Sequence, residues 1–234
     1  MAAELTRRDE VAAGLQSVLA RIDRACSAAG RDASEITLVV VTKTFPATDV
    51  RLLVELGVTD VGESRHQEAE PKAAECAGLP VRWHFVGQLQ TNKAAAVAGY
   101  SSVVHSVDRV RLVDALSRGA AAAGRPVECF VQVALDEVPG RGGASGQQIL
   151  EVADRIAEAD SLRLAGVMAV APLGVDPHDA FARLEGLVEL VQNRHPTALS
   201  ISAGMSGDFE AAIAQGATHL RVGSAILGKR PPRV

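Results

Sequence analysis

Eight short runs rich in Val, Ile and Leu alternate with longer amphipathic runs along this chain, and that alternation restricts its fold more than any other feature. The predicted strands are Ile36–Thr42, Thr59–Gly62, Val81–Val86, Ser102–Val107, Val127–Leu135, Leu162–Ala171, Leu199–Ala203 and His219–Val222. Between them, apolar residues recur at three- and four-residue steps over Ala47–Leu56, Arg109–Ala123, Gln147–Ala159, Pro177–Arg194 and Phe209–Gln215, which predicts helices. Glycine marks most joins, at Gly57, Gly78, Gly99, Gly124 and Gly216, as left-handed helix ends require. Eight strands with intervening helices favour a closed (β/α)8 TIM barrel over an open doubly wound sheet. After the eighth strand only Ala225–Val234 remains, and Pro231-Pro232 ends any helix there. The missing outer helix is therefore expected from the N-terminus, where Val11–Ala28 is amphipathic through Val11, Leu15, Val18, Leu19 and Ile22. No linker interrupts the pattern, so residues 1–234 read as a single domain.

Aromatic residues make up only 3% of the chain against 47% apolar, so the core must be aliphatic. A net charge of -4 with mixed signs argues against a nucleic-acid stripe or an anionic-membrane binder. No run of about 18 apolar residues occurs, and the charged N-terminus lacks a signal-peptide core. A soluble cytoplasmic protein is expected, and a monomer, since no extra apolar segment is evident. Cys26, Cys76 and Cys129 are scattered without a C-x-x-C pair, which speaks against a disulfide frame or a zinc site.

Barrels of this kind place their chemistry at the C-terminal ends of the strands, with phosphate held after strands seven and eight. Lys43 closes the first strand. Gly204-Met205-Ser206-Gly207-Asp208 follows the seventh, and Arg221-Val222-Gly223-Ser224 ends the eighth. Barrel closure makes strands one and eight neighbours, so these segments should converge on one mouth. The amine of Lys43 could form an imine, while glycines and a helix N-terminus offer backbone N–H groups to an anion. Ser206 is expected to open the helix Gly207–Gln215, and Gly223 to let the backbone at Ser224 approach the same point. An aldehyde-bearing phosphate needs both an amine and an anion seat, which suggests pyridoxal 5'-phosphate (PLP) held as an internal aldimine. Arg221, if it points inward, could meet the pyridine nitrogen, and its fixed charge would disfavour a pyridinium. The ring would then be a poor electron sink, suited to storage or mild chemistry. A solvated strand-end lysine, a helix-capping serine, a plain glycine turn and a barrel arginine paired with a carboxylate are the ordinary alternatives.

Further motifs appear in order: Val41-Thr42-Lys43-Thr44, Gly62-Glu63, Trp83-His84-Phe85-Val86-Gly87, Leu89-Gln90-Thr91-Asn92-Lys93, Gly166-Val167-Met168-Ala169, and the two phosphate turns. Together they resemble the pyridoxal-phosphate homeostasis proteins (YggS-like, also called proline-synthase co-transcribed proteins) from roughly Val11 to Gly228. The resemblance implies a barrel of the alanine-racemase N-terminal-domain type with the cofactor on Lys43. It further implies phosphate contacts from Ser206, Gly223 and Ser224, with Arg221 near the ring nitrogen. Such proteins are regarded as carriers or regulators of vitamin B6 supply that affect amino-acid and keto-acid balance, without an established turnover. The apo-forms of PLP-requiring enzymes would then be their partners. Ser64 stands where this family usually has Asn, Leu227 replaces a common Phe, and Arg141 a typical Lys.

Other readings have less support. Gly223–Lys229 mimics a P-loop, but Arg230 stands where Ser or Thr should hold magnesium. Gly140–Gly146 lacks the third glycine of a dinucleotide turn and reads instead as a loop over the barrel mouth. His84, His105 and His219 share no metal-ligand spacing and read as core histidines. A PLP-dependent racemase with weak activity would need a second base opposite the lysine, yet Tyr100 precedes the fourth strand at the wrong end of the barrel. A phosphosugar enzyme would need an acid–base pair, for which Glu63 and His84 are the best candidates.

Overall fold

The computed structural model describes residues 6–136 and 142–229. Its eight strands are β1 (Thr37–Val41), β2 (Asp60–Glu63), β3 (Arg82–Phe85), β4 (Val103–Val107), β5 (Val127–Gln132), β6 (Leu162–Met168), β7 (Ser200–Met205) and β8 (His219–Val222). All pair in parallel with their sequence neighbours, and β8 returns to β1, closing the barrel. The helices are α1 (Arg7–Ala28), α2 (Ala47–Glu55), α3 (His66–Glu75), α4 (Ala94–Tyr100), α5 (Val110–Ala123), α6 (Gln148–Ala157), α7 (Pro177–Arg194), α8 (Phe209–Ala214) and α9 (Ser224–Leu227).

Every predicted strand exists, with shifted ends. β5 ends at Gln132, after which Val133 still donates to the Met168 carbonyl of β6 and also bridges Ala144. Two helices escaped the apolar pattern. The described burial of α3 rests on Ala69 and on Lys72, whose ammonium is buried with its stem, and α4 is short and alanine-rich. Gly99 lies inside α4 and so marks no helix end, whereas Gly57, Gly78, Gly124 and Gly216 all take positive φ.

The N-terminal helix completes the outer ring as expected. α1 opens with a capping box between Thr6 and Asp9. It buries Val11, Leu15, Val18, Ile22 and Cys26 along one stripe. Leu19, expected on that face, is 45% exposed because it lies one residue off the stripe. α1 crosses closely over the one-turn helix α9. A Cβ on Gly14 would lie 2.4 Å from the carbonyl oxygen of Ile226, so the contact excludes any side chain. Arg7 extends the clamp, donating to Asp49 Oδ2 at 2.6 Å and to the Leu227 carbonyl at 3.1 Å.

This packing makes a prediction opposite to helix propensity. Alanine ordinarily stabilises a helix interior over glycine by about 1 kcal/mol. Gly14→Ala should instead destabilise by roughly 1–3 kcal/mol through overpacking against backbone. Gly186→Ala in α7, where a Cβ meets nothing within 4 Å, should stabilise by about 0.5–1 kcal/mol. Thermal unfolding of the two variants checks the contrast; equal shifts would contradict the α1–α9 contact.

Candidate functional site

Lys43 stands two residues past the end of β1, half-buried at the barrel rim. The backbone around it is held from β2 and α3. Thr42 donates through Oγ1 to Glu63 Oε1 at 2.7 Å, and Lys72 Nζ donates to the Thr42 carbonyl at 2.9 Å. Lys72 also pairs with Glu63 Oε1 at 2.5 Å, and both side chains are buried. Burial pushes the Glu63 carboxyl upward, against the opposing pull of Lys72 and Thr42. Thr44 follows with φ 69, an unusual conformation for a β-branched residue, and its N–H donates to Glu68 Oε2 at 3.2 Å. The chain therefore turns sharply at Lys43 and is fixed on both sides of it.

Closure of β1 on β8 brings the distant turns to the same place. Val39 pairs with Arg221 and Val40 with Val222, which sets Gly223 beside Val41. A Cβ at position 223 would lie 2.9 Å from the Val41 carbonyl oxygen, so glycine permits this approach. Ser224 Oγ lies 3.4 Å from Ser206 Oγ, joining the two turns across 18 residues of sequence. Ser206 does not open the following helix as expected. Asp208 holds the N-cap position of α8 and its Oδ1 accepts the Met205 N–H at 2.5 Å, a tight turn that leaves Ser206 at its tip. Arg21 of α1, stacked 4.2 Å over the Phe209 ring, donates to the Ser206 carbonyl at 3.2 Å. Thus α1 contacts the Ser206 turn through Arg21 and the short helix that follows Gly223 through Gly14 and Arg7.

Lys43, Ser206, Arg221, Gly223 and Ser224 line one cavity of about 360 Å³, with Ser64 on its wall. Arg221 points inward, which is the condition on which its expected role depended. It donates from Nη1 to Ser202 Oγ at 2.6 Å and from Nη2 to the Ala169 carbonyl at 2.9 Å. These partners are neutral, so the paired-carboxylate alternative does not describe it. Burial lowers its pKa to about 10, still leaving a cation near neutrality.

Beneath Arg221 the barrel interior is polar. Ser202 Oγ lies 2.8 Å from His105 Nδ1, His105 Nε2 lies 2.9 Å from His84 Nδ1, and His84 Nε2 lies 2.8 Å from Asp60 Oδ1. His84 and His105 are fully buried core residues, as expected, and both belong to this linked series, whereas His219 is only partly buried. Asp60, Ser202, Arg21 and Lys72 went unread in the sequence. Isolated polar residues inside apolar strands, and a glycine within an amphipathic helix, were the available signals. Glu63 and His84 are committed to different partners, so they form no acid–base pair at the mouth. Tyr100 ends α4, its hydroxyl buried without a hydrogen-bond partner among the described residues. Arg141 and part of the predicted mouth loop lie outside the described residues.

The buried histidines generate a pH prediction. Desolvation lowers His84 and His105, and brings His219 to about 4. These rings are neutral in the fold, whereas the unfolded chain takes up protons near the ordinary value of about 6.5. Their contribution is therefore fully present above pH 6.5 and is lost as pH falls below it, for His219 over the interval down to about 4. His219 alone accounts for up to ~3 kcal/mol of that loss. Urea unfolding at several pH values should show His219→Gln losing less stability on acidification than the parent. Identical pH slopes would contradict the burial of a neutral ring.

Comparison with known proteins places this geometry among relatives. Residues 15–231 match the family model described as alanine racemase, N-terminal domain. A pyridoxal phosphate homeostasis protein from Mycobacterium leprae is 42% identical over 95% of this chain and 93% of its own length. The protein of the same name from Escherichia coli K12 is 33% identical, covering 95% and 97%. The solved structure of PipY from Synechococcus elongatus with PLP bound is 31% identical and has a TM-score of 0.77, covering 89% of this chain and all of that one. By sequence along almost its full length and by its closed barrel, the chain belongs to the pyridoxal phosphate homeostasis protein family.

Proposed function

We propose that Lys43 is the amine that holds PLP in this protein, and that Ser206, Gly223 and Ser224 seat its phosphate. The protein is a PLP-binding member of a homeostasis family. The observation that carries the residue assignment is the shared cavity, in which an amine, two hydroxyls 3.4 Å apart and a guanidinium converge. That donor set fits the group. The hydroxyls and the close backbone at Gly223 suit a phosphate, and the first-turn N–H groups of α9 add donors. When bound, PLP supplies an electrophilic aldehyde and an electron-accepting ring.

The protein's own residues then have separate tasks. Lys43 is held for attack by the grip of Glu63 and Lys72 on Thr42. Arg221 presents donors that a pyridine nitrogen can accept, and its fixed charge opposes protonation of that nitrogen. An unprotonated ring withdraws electrons weakly, which suits keeping the cofactor better than deprotonating an amino acid. Tyr100, the sequence's one tyrosine, precedes β4 with its hydroxyl buried and its ring stacked on His66 of α3, and it is not among the residues that line the Lys43 cavity. It cannot serve as the second base that racemisation requires. We therefore read a non-catalytic carrier that works in the cytoplasm as a monomer and passes PLP to apo-enzymes. Among the described residues no helix is long and apolar enough to cross a membrane.

Borohydride reduction of the PLP-loaded protein should leave a mass tag on Lys43. Lys43→Ala should lose the tag while its melting temperature holds, because the side chain is at the rim. A tag on another lysine would overturn the assignment. Ser206→Ala should weaken PLP retention by about tenfold to a hundredfold, the worth of one charge-assisted hydrogen bond. Phosphate-free pyridoxal should be affected far less. Equal losses in parallel dialysis would remove Ser206 from the phosphate seat. Transfer of bound PLP to an apo-enzyme, assayed beside amino-acid turnover, tests the carrier role.

A further inference from the structure

We infer that Asp60, at the N-terminal end of β2, is a positioning residue for Arg221, acting through a one-way chain of hydrogen bonds that crosses the barrel interior. The chain runs Arg221–Ser202–His105–His84–Asp60 and draws one side chain from each of β8, β7, β4, β3 and β2. It is a property of the described residues alone. Its consequence for ligand binding rests on the cofactor reading given above.

Donor and acceptor chemistry fixes the direction. A guanidinium only donates, so Ser202 Oγ must accept from Arg221 Nη1. The single hydroxyl proton of Ser202 is then available to His105 Nδ1, 2.8 Å away. A neutral His105 with Nδ1 accepting carries its proton on Nε2 and donates to His84 Nδ1. By the same logic His84 carries its proton on Nε2 and donates to Asp60 Oδ1. Every link points from the cation to the carboxylate. Asp60 suits the terminal role. Its Oδ2 accepts from Thr59 Oγ1 at 2.7 Å, Arg82 Nη1 lies 3.7 Å from Oδ1, and its pKa lies below the ordinary value despite the cost of burial.

One added proton would reverse the pattern. A cationic His84 would donate from both ring nitrogens, His105 would donate from Nδ1, and Ser202 would accept twice. Burial opposes that state. His84 and His105 are both fully buried, and His105 stacks on Phe130 with ring centroids 4.6 Å apart. His219 and Arg82 add no negative charge to these rings, and Asp208 acts on Arg221 through space without a hydrogen bond. The chain thus orders Ser202, and Ser202 with the Ala169 carbonyl fixes two nitrogens of Arg221. The Nε–H has no acceptor among the described residues, and Arg221 lines the cavity of Lys43. A carboxylate remote from the mouth in this way sets how the guanidinium faces a bound ring.

The test has two arms. In the ligand-free, 15N-labelled full chain, long-range proton–nitrogen NMR at pH 7 should find His84 and His105 both neutral and protonated on Nε2. A proton on Nδ1 of either ring, or a cationic His84, would overturn the proposal whether or not any variant folds. In the second arm, Asp60→Asn removes the charge at nearly constant shape. It should shift His84 or His105 toward the other tautomer and weaken PLP retention about threefold to tenfold, the scale of coupling through packed polar networks. Parent-like tautomers and retention in Asp60→Asn would also overturn it. Failure of the cofactor reading would appear separately, as absence of a reducible adduct on Lys43 in the parent protein.

Discussion

The pairing of β8 with β1 is the constraint on which the rest of this structure depends. Four consecutive residue pairs, from Thr37–His219 to Val40–Val222, close the sheet on itself. Without that seam, Lys43 and Ser224 are separated by most of the chain. With it, Gly223 lies against Val41 and the amine shares a cavity with the hydroxyls of both Gly/Ser turns. A register slip of one residue would turn Arg221 outward, because side chains alternate across a strand. The closed sheet therefore determines both who meets at the mouth and which way each faces.

Around this seam the molecule spends buried polar groups where they hold backbone in place. Glu63 and Lys72 are an ion pair in the protein interior, costly to desolvate, and both touch Thr42 beside Lys43. α1 reaches the Ser206 turn through Arg21 and the short helix α9 through Arg7 and Gly14, so an element on the outer ring supports the segments beside the mouth. The histidine series lies deeper and connects the rim to the opposite end of the barrel. The backbone on either side of Lys43 is consequently held in place before any ligand arrives.

Much of this was legible in the chain. The strand count, barrel closure, N-terminal outer helix and convergence of Lys43 with the two Gly/Ser turns all follow from apolar periodicity and from where barrels place their loops. The start of α8 did not, because Asp208 occupies the N-cap position while its side chain holds the preceding turn, and Ser206 stays in that turn. α3 was obscure because its buried face includes a lysine. Ser202 and Asp60 were hidden for a different reason. A lone polar residue in a strand has no periodic signature, and its role appears only when other strands deliver partners to it.

The central claim is that one amine and one anion seat, brought together by the β1–β8 seam, hold PLP. Crystals of the protein grown with PLP test it most directly. The account predicts electron density continuous with the Lys43 nitrogen, the phosphate between the Ser206 and Ser224 hydroxyls, and the ring nitrogen facing Arg221. Cofactor density attached to a different lysine, or a phosphate seated away from those two serines, would contradict it.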